Sequence, residues 1–336
     1  MRALVLTGPG KAEVHEVEPP AAAPGEVVVD VERAGVCGTD VELFTGEMSY
    51  LHTGRSWYPL RPGHEWCGRV TALGDGVPAE WLGRRVTGDT MLSCRTCDRC
   101  RSGRHHVCGD MAEIGISRGR PGALAEQLAV PVTALHALPD TVDSTLGALV
   151  EPGGNALRAA RGAGLRPGGR LLVLGTGTIG LLTALFARAG GAEVHLLGQD
   201  ESTLRLARHL GFGHAWTRPR CRGCRGTASS TPPTRPACPL SRSTSSNPPA
   251  AWSTSDWPAP LRDRHPRPGA QGRHRGRHPR RLGRPGRSHR RVRGRLGRRP
   301  PLVAATVGLA ETAGVLAGHR PADAGPGPKI HIDPRR

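Results

Sequence analysis

The stretch Gly63–Val77, GHEWCGRVTALGDGV, decides how the rest of this sequence is read. It opens on an imidazole beside a carboxylate, His64 and Glu65, two side chains able to hold a divalent metal. Gly68, Gly74 and Val77 follow. Glycines inside short apolar runs allow bends and close backbone approaches that a Cβ would block. A His-Glu pair alone says little, because such pairs are common on surfaces. The full spacing is far more specific: Gly-His-Glu, two residues, Gly, five residues, Gly, two residues, Val.

Upstream, residues 1–36 read as short strands with turn punctuation, and the alternation of VVVDVE fits a half-buried strand. Cys37-Gly38-Thr39-Asp40 comes next. A thiolate there can ligate zinc, and the Thr39 hydroxyl can pass a proton. A lone cysteine after a strand is commonly a small buried apolar residue, but GHE at this distance favours a ligand. Cys67 has no partner at metal spacing and reads as packing.

Downstream, Cys94, Cys97, Cys100 and Cys108 form C-x2-C-x2-C-x7-C. Four thiolates joined by short loops can close a tetrahedral zinc site with no open position. This is not the pair of separated knuckles of a nucleic-acid zinc ribbon. Arg95, Arg99, Arg101 and Arg104 temper the site's negative charge and read as a solvated face. Glu151 follows in Val-Glu-Pro; its simplest reading is a helix-start carboxylate favoured by the dipole. Leu171–Leu174 then reads as a buried strand, followed by Gly175, Gly177, Thr178, Ile179 and Gly180 in G-x-G-x-x-G and an apolar helix. That strand-turn-helix context fits a pyrophosphate held at a helix N-terminus. A second strand ends at Gly198-Gln199-Asp200.

The 336 residues suffice for two domains, and no apolar run approaches the ~20 residues of a membrane span. Nine cysteines at metal-like spacings suit thiols in a reducing cytoplasm. The net charge of +19 first suggests nucleic acid. Residues 216–300, however, hold 22 Arg, no Lys and only Asp256 and Asp263, a net +20, so the rest sums to −1. This segment has no helix or strand periodicity, and its Cys221–Cys224 pair stands alone. From Leu302 apolar order returns, read as a helix (LVAATVGLAETAGVLAG) and then a strand (GPGPKIHIDP).

Residues 1 to about 215, and more weakly those from about 301 onward, resemble the zinc-containing alcohol dehydrogenases of the medium-chain dehydrogenase/reductase superfamily. The resemblance implies an α/β-plus-β architecture. Residues 1–150 would form a GroES-like, β-rich catalytic domain, and 151–215 the first half of a doubly wound Rossmann domain that is incomplete in this chain. Residues 216–300 would be a cofactor domain translated out of frame, as Arg, Pro, Gly, His and Ser without Lys suggest for a GC-rich gene, and 301–336 would return to the catalytic domain. Gly122–Pro131 resembles the strand that returns from the structural-zinc lobe.

The same resemblance assigns the site residues. Cys37 and His64 would ligate the catalytic zinc. Glu65 would act beside it, as a ligand or as a group orienting one. Val-Glu-Pro resembles the polyol, sugar and threonine dehydrogenase branches and makes Glu151 the third protein ligand, although Gly153-Gly154 departs from the family's bulkier residues. Thr39 would touch the substrate oxygen and start a proton relay. Cys94, Cys97, Cys100 and Cys108 would hold structural zinc. The implied cofactors are two zinc ions per chain and NAD or NADP. Gly198 stands where NAD-preferring members carry an acid, which tilts the expectation towards NADP or dual use, unless Asp200 substitutes. The expected substrate is a small hydroxylated molecule, the expected reaction oxidation of a secondary alcohol to a ketone, and the expected assembly a dimer or tetramer. Two rival readings are a zinc protein whose Arg-rich arm binds nucleic acid and a catalytically crippled member of the family. The first leaves GHE, Glu151 and GxGxxG unexplained.

Overall fold

The computed structural model describes residues 1–199, 201–217 and 302–336. Asp200, the Cys221–Cys224 pair and all but the first two residues of the 216–300 segment lie outside the described residues. In chain order the elements begin with the antiparallel hairpin β1 (Arg2–Gly8) and β2 (Lys11–Glu16), then β3 (Glu26–Gly35). Two short helices follow, α1 (Gly38–Thr45) and α2 (Ser49–His52), and then β4 (Glu65–Leu73) and β5 (Arg85–Gly88). The cysteine lobe comprises β6 (Met91–Leu92), α3 (Asp98–Arg101) and β7 (Ala112–Glu113). The chain returns through β8 (Gln127–Pro131) and β9 (Leu135–Ala137) to α4 (Ser144–Gly147) and α5 (Val150–Gly162). Then come β10 (Arg170–Leu174), α6 (Thr178–Ala189), β11 (Glu193–Gly198), α7 (Glu201–His209) and β12 (His214–Thr217). The described chain ends with β13 (Val303–Gly308), α8 (Thr312–Leu316) and β14 (Lys329–Asp333).

Strand β3 anchors the larger sheet, pairing with β4, β8 and β14. Its valines 27, 28, 29 and 31 are all buried, more completely than their alternation predicts. The reason is in the register: β3 slips against β4 between Val28 and Val29 and again between Val31 and Arg33. Such irregularities shift which face successive side chains take. The glycines of the opening motif make close approaches here. A Cβ on Gly68 would lie 2.3 Å from the Asp30 carbonyl oxygen, and one on Gly74 would lie 1.9 Å from that of Ala23.

The second core gathers around the parallel order β10-β11-β12. Leu181, Ala184, Leu196 and Leu204 fill it. Helix α5 forms straight through Gly153-Gly154. The expected buried strand at Leu171–Leu174 is present, but one of its faces is open: Leu172 is 58% and Leu174 73% exposed.

The C-terminal order differs from the sequence-based expectation of a helix and then a strand. Residues 303–308 are a strand, β13, parallel to β14, and the helix comes between them. The run VAATV carries β-branched residues that suit a pleated surface. Gly308 ends it, and its backbone N–H donates to the Glu311 carboxylate at 2.9 Å, starting the helical turn that follows. Through β14 the chain's last strand joins β3, at His331 opposite Gly35 and Ile332 opposite Ala34. No helix among the described residues is long and apolar enough to cross a membrane.

Candidate metal and cofactor sites

The first centre forms where the end of β3 and the start of β4 meet. Gly35 pairs with Glu65 across the two strands, which brings Cys37, two residues past the end of β3, next to His64 and Glu65. Their ligand atoms all lie within 4.8 Å of one another. His64 and Glu65 are 5% and 2% exposed. Cys37 caps α1, and Thr39 lies one residue later than Gly38 in that helix's first turn.

Asp40 ties this arrangement together, a role the sequence reading did not assign. It is fully buried. One carboxylate oxygen accepts the Cys37 backbone N–H at 2.9 Å, and the other accepts that of Gly63 at 3.0 Å. The second oxygen also lies 3.6 Å from His64 Nδ1. Burial pushes the His64 imidazole down. The Asp40 carboxylate and the Cys37 sulfur outweigh that and hold its pKa well above the ordinary value. A carboxylate behind one ring nitrogen turns the other towards a metal and makes it a better donor. The signal available in the sequence was the acid three residues after Cys37, the spacing of a reciprocal helix cap.

Lys329, from β14, is the second residue that sequence reasoning missed. Its ammonium donates to Glu65 Oε1 at 2.8 Å and to the Val36 carbonyl at 2.8 Å, and lies 2.7 Å from Glu65 Oε2. It is 3% exposed. Nothing in the local sequence marks it, because its partner is 264 residues away.

Glu151 stands in the first turn of α5, outside the set whose ligand atoms all lie within 4.8 Å. Its Oε1 accepts hydrogen bonds from Thr90 Oγ1 at 3.2 Å and Asn155 Nδ2 at 3.1 Å. Thr90 Oγ1 also approaches the His64 carbonyl at 3.4 Å. Burial raises the Glu151 pKa, Glu65 adds to the rise, and His64, Thr90 and Asn155 oppose it. The carboxylate thus feels both His64 and Glu65. One thiolate, one imidazole and nearby carboxylates suit a borderline cation such as zinc.

The cysteine lobe is a closed ring of sulfur. Around the circuit Cys94–Cys108–Cys97–Cys100 the Sγ separations are 3.4, 3.9, 3.6 and 3.9 Å. Tetrahedral zinc with bonds of about 2.3 Å requires sulfur–sulfur edges of about 3.8 Å. Backbone N–H groups of Cys94 and Cys97 point at Cys108 and Cys94 sulfur, at 3.5 and 3.4 Å. Hydrogen bonds from Thr96 and the Cys97 backbone draw the Cys94 thiol down to about 6, while burial pushes the Cys100 thiol up to about 11. Cys67 is fully buried, and burial pushes its thiol up to about 12. It packs against Gly147, where a Cβ would lie 2.5 Å from its sulfur.

The glycine loop joins β10 to α6. Gly175 has φ of +107°, a conformation that favours glycine. A Cβ on Gly180 would lie 2.2 Å from the Gly175 carbonyl oxygen, so strand and helix close tightly there. A Cβ on Gly177 would meet nothing within 4 Å: the space above the N-cap of α6 is open. Thr178 and Ile179 form the first turn of that helix, and Ile179 is 44% exposed. Gly198 is explained by packing, since a Cβ there would lie 2.8 Å from Leu204 Cγ.

Residues 23–140 match the alcohol dehydrogenase GroES-like domain family. The L-threonine 3-dehydrogenase of Idiomarina loihiensis is 36% identical over 201 residues, 60% of this chain and 58% of that protein. Among solved structures, a putative zinc-binding dehydrogenase from Sinorhizobium meliloti bound to NADP is 36% identical, with TM-score 0.59 over 65% of this chain and 61% of that one. The galactitol-1-phosphate dehydrogenase of Escherichia coli is 31% identical, with TM-score 0.59 over 65% and 61%. The chain thus spans about three fifths of the length of these relatives.

Proposed function

We propose that this chain is a member of the zinc-containing alcohol dehydrogenase family of medium-chain dehydrogenases, and that it carries the active centre of an NAD(P)-dependent oxidation of secondary alcohols. The observation that carries this reading is the convergence of Cys37, His64 and Glu65 within 4.8 Å, backed by the fully buried Asp40. When bound, zinc supplies Lewis acidity that lowers the pKa of a substrate hydroxyl, and the nicotinamide supplies the hydride acceptor. Cys37 and His64 would hold the metal. Glu65, restrained by Lys329, would act beside it, and Glu151, held by Thr90 and Asn155, would be the third protein ligand.

Thr39, in the first turn of α1, would take the hydroxyl proton and hand it towards solvent. Asp40 keeps His64 oriented throughout. Gly175, Gly177 and Gly180 leave the α6 N-terminus accessible to a pyrophosphate. Thr178 and Ile179 line its first turn. With no acid at Gly198, the ribose 2′-phosphate of NADP meets no carboxylate there. The substrate class we favour is a small polyhydroxy or amino alcohol: a polyol, sugar, aminocyclitol or amino alcohol. The Val-Glu-Pro motif and the similarity to threonine and galactitol-1-phosphate dehydrogenases support it. The test is a substrate panel of L-threonine, sugar alcohols, sugar phosphates, aminocyclitols and primary alcohols, each with NAD and NADP. In the chain with residues 216–300 restored to frame, reduction of cofactor by a secondary-alcohol substrate, abolished by Cys37→Ser, is expected. Activity confined to simple primary alcohols would overturn the substrate reading, and turnover by zinc-free protein the mechanism.

A further inference from the structure

Away from the centre just described, β11 and β12 carry a second cluster of metal-competent side chains. Strand alternation puts Glu193 and His195 on the same side of β11. The parallel register sets His214 of β12 directly beside His195. The ligand atoms of Glu193, His195 and His214 all lie within 4.8 Å of one another. His195 Nε2 is 2.7 Å from Glu193 Oε1, and His214 Nε2 is 3.9 Å from the same oxygen. The two rings stack with centroids 4.6 Å apart and planes 16° apart, so both Nε2 edges face one carboxylate. Arg170 Nε approaches the other carboxylate oxygen, Oε2, at 4.0 Å and leaves Oε1 to the imidazoles.

We infer that Glu193, His195 and His214 form a third metal site, for a borderline divalent cation such as Zn2+, Ni2+ or Cu2+. Two imidazole nitrogens and one carboxylate oxygen select this class over Mg2+ and Ca2+, which take oxygen ligands. Binding replaces the His195–Glu193 hydrogen bond with two nitrogen–metal bonds of about 2.0–2.1 Å, reached by rotation of rings already adjacent. Side-chain exposures of 22% for His195, 45% for Glu193 and 54% for His214 let a hydrated ion enter and leave positions for water. Trp216 sits beside both rings, at 5.3 Å from His195 and 5.7 Å from His214. A paramagnetic ion held there should quench its fluorescence.

The experiment titrates Ni2+ into zinc-replete, full-length chain, following bound nickel by equilibrium dialysis and emission by tryptophan fluorescence. Expected is one saturable equivalent accompanied by quenching. His195→Ala/His214→Ala should lose both signals, while Trp216→Phe should keep the equivalent and lose the quenching. Weak binding by other histidines is common to all forms and cancels in the comparison. Zinc content and circular dichroism check the fold; should the double variant fail it, Glu193→Gln carries the same test, with weakened uptake expected. Unchanged uptake and quenching in the folded variants, or no saturable quenching in the parent chain, overturns the inference.

Discussion

Lys329 and Glu65 illustrate how a single residue can connect distant parts of the chain. Both are almost fully buried, and each neutralises the other. Removing one partner of a buried pair leaves an uncompensated charge and costs roughly 3–5 kcal/mol. Lys329→Met should therefore lower the urea midpoint sharply, and Lys329→Met/Glu65→Gln should recover part of the loss. A double variant no more stable than Lys329→Met would show that the pair is not the cause. His331, two residues on, is fully buried with neither ring nitrogen hydrogen-bonded. Burial, then the cations Lys329 and Arg33, push it down to about 3. Between that value and the ordinary ~6.5 the unfolded chain binds a proton that the folded chain refuses. Its contribution is intact above the ordinary value and is lost as pH falls through this window, by about 1.4 kcal/mol per unit. His331→Leu should flatten the acid side of the stability profile. The check is the fall in urea midpoint from pH 7 to pH 5, which should be smaller in the variant than in the parent.

At the scale of elements, the cysteine lobe and the glycine loop make different demands. The lobe has few buried apolar residues of its own, and its four sulfurs stand at zinc-like separations. Cys100→Ser, or zinc removal by a chelator, should lower the melting temperature and open residues 94–108 to protease. Cleavage unchanged by either treatment would mean that zinc does not hold this lobe. In the glycine loop, Gly180→Ala drives a methyl into the Gly175 carbonyl and should destabilise the β10–α6 turn. Gly177→Ala meets open space, so the fold should tolerate it while nicotinamide cofactor binding weakens. Fluorescence titration with NADPH and NADH, read beside the melting temperature, separates the two effects.

For the whole molecule, the described part of the candidate cofactor-binding region is a three-stranded parallel sheet with one exposed face. We propose that residues 216–300 are the remainder of that domain in a shifted reading frame, because 22 Arg without a Lys, amid abundant Pro, Gly, His and Ser, is the composition of a GC-rich coding sequence read out of frame. The chain as written should then bind two zinc ions, in its cysteine lobe and at Cys37–His64, yet turn over slowly or not at all. Resequencing the gene across this region should recover alternating strands and helices rich in Val, Ile and Leu after a one-base correction. An unchanged frame giving active enzyme would exclude the idea.

The sequence by itself determined which residues are candidates for metal binding and where the glycine loop lies. Those signals are local: Gly-His-Glu, four cysteines within fifteen residues and G-x-G-x-x-G each place their chemistry through short-range spacing. It also placed Cys37 beside His64, through a family pattern. Tertiary structure alone decided the rest. Lys329 reaches Glu65 only because β14 docks on β3. Glu193, His195 and His214 become one cluster only through the register of β11 with β12. The identity of residues 303–308 as a strand depends on β14 lying alongside, since an apolar run without clear periodicity fits helix or strand until a partner claims its backbone hydrogen bonds. Local spacing is fixed by covalent geometry, whereas long-range pairing follows from where burial and backbone hydrogen bonding can be satisfied together.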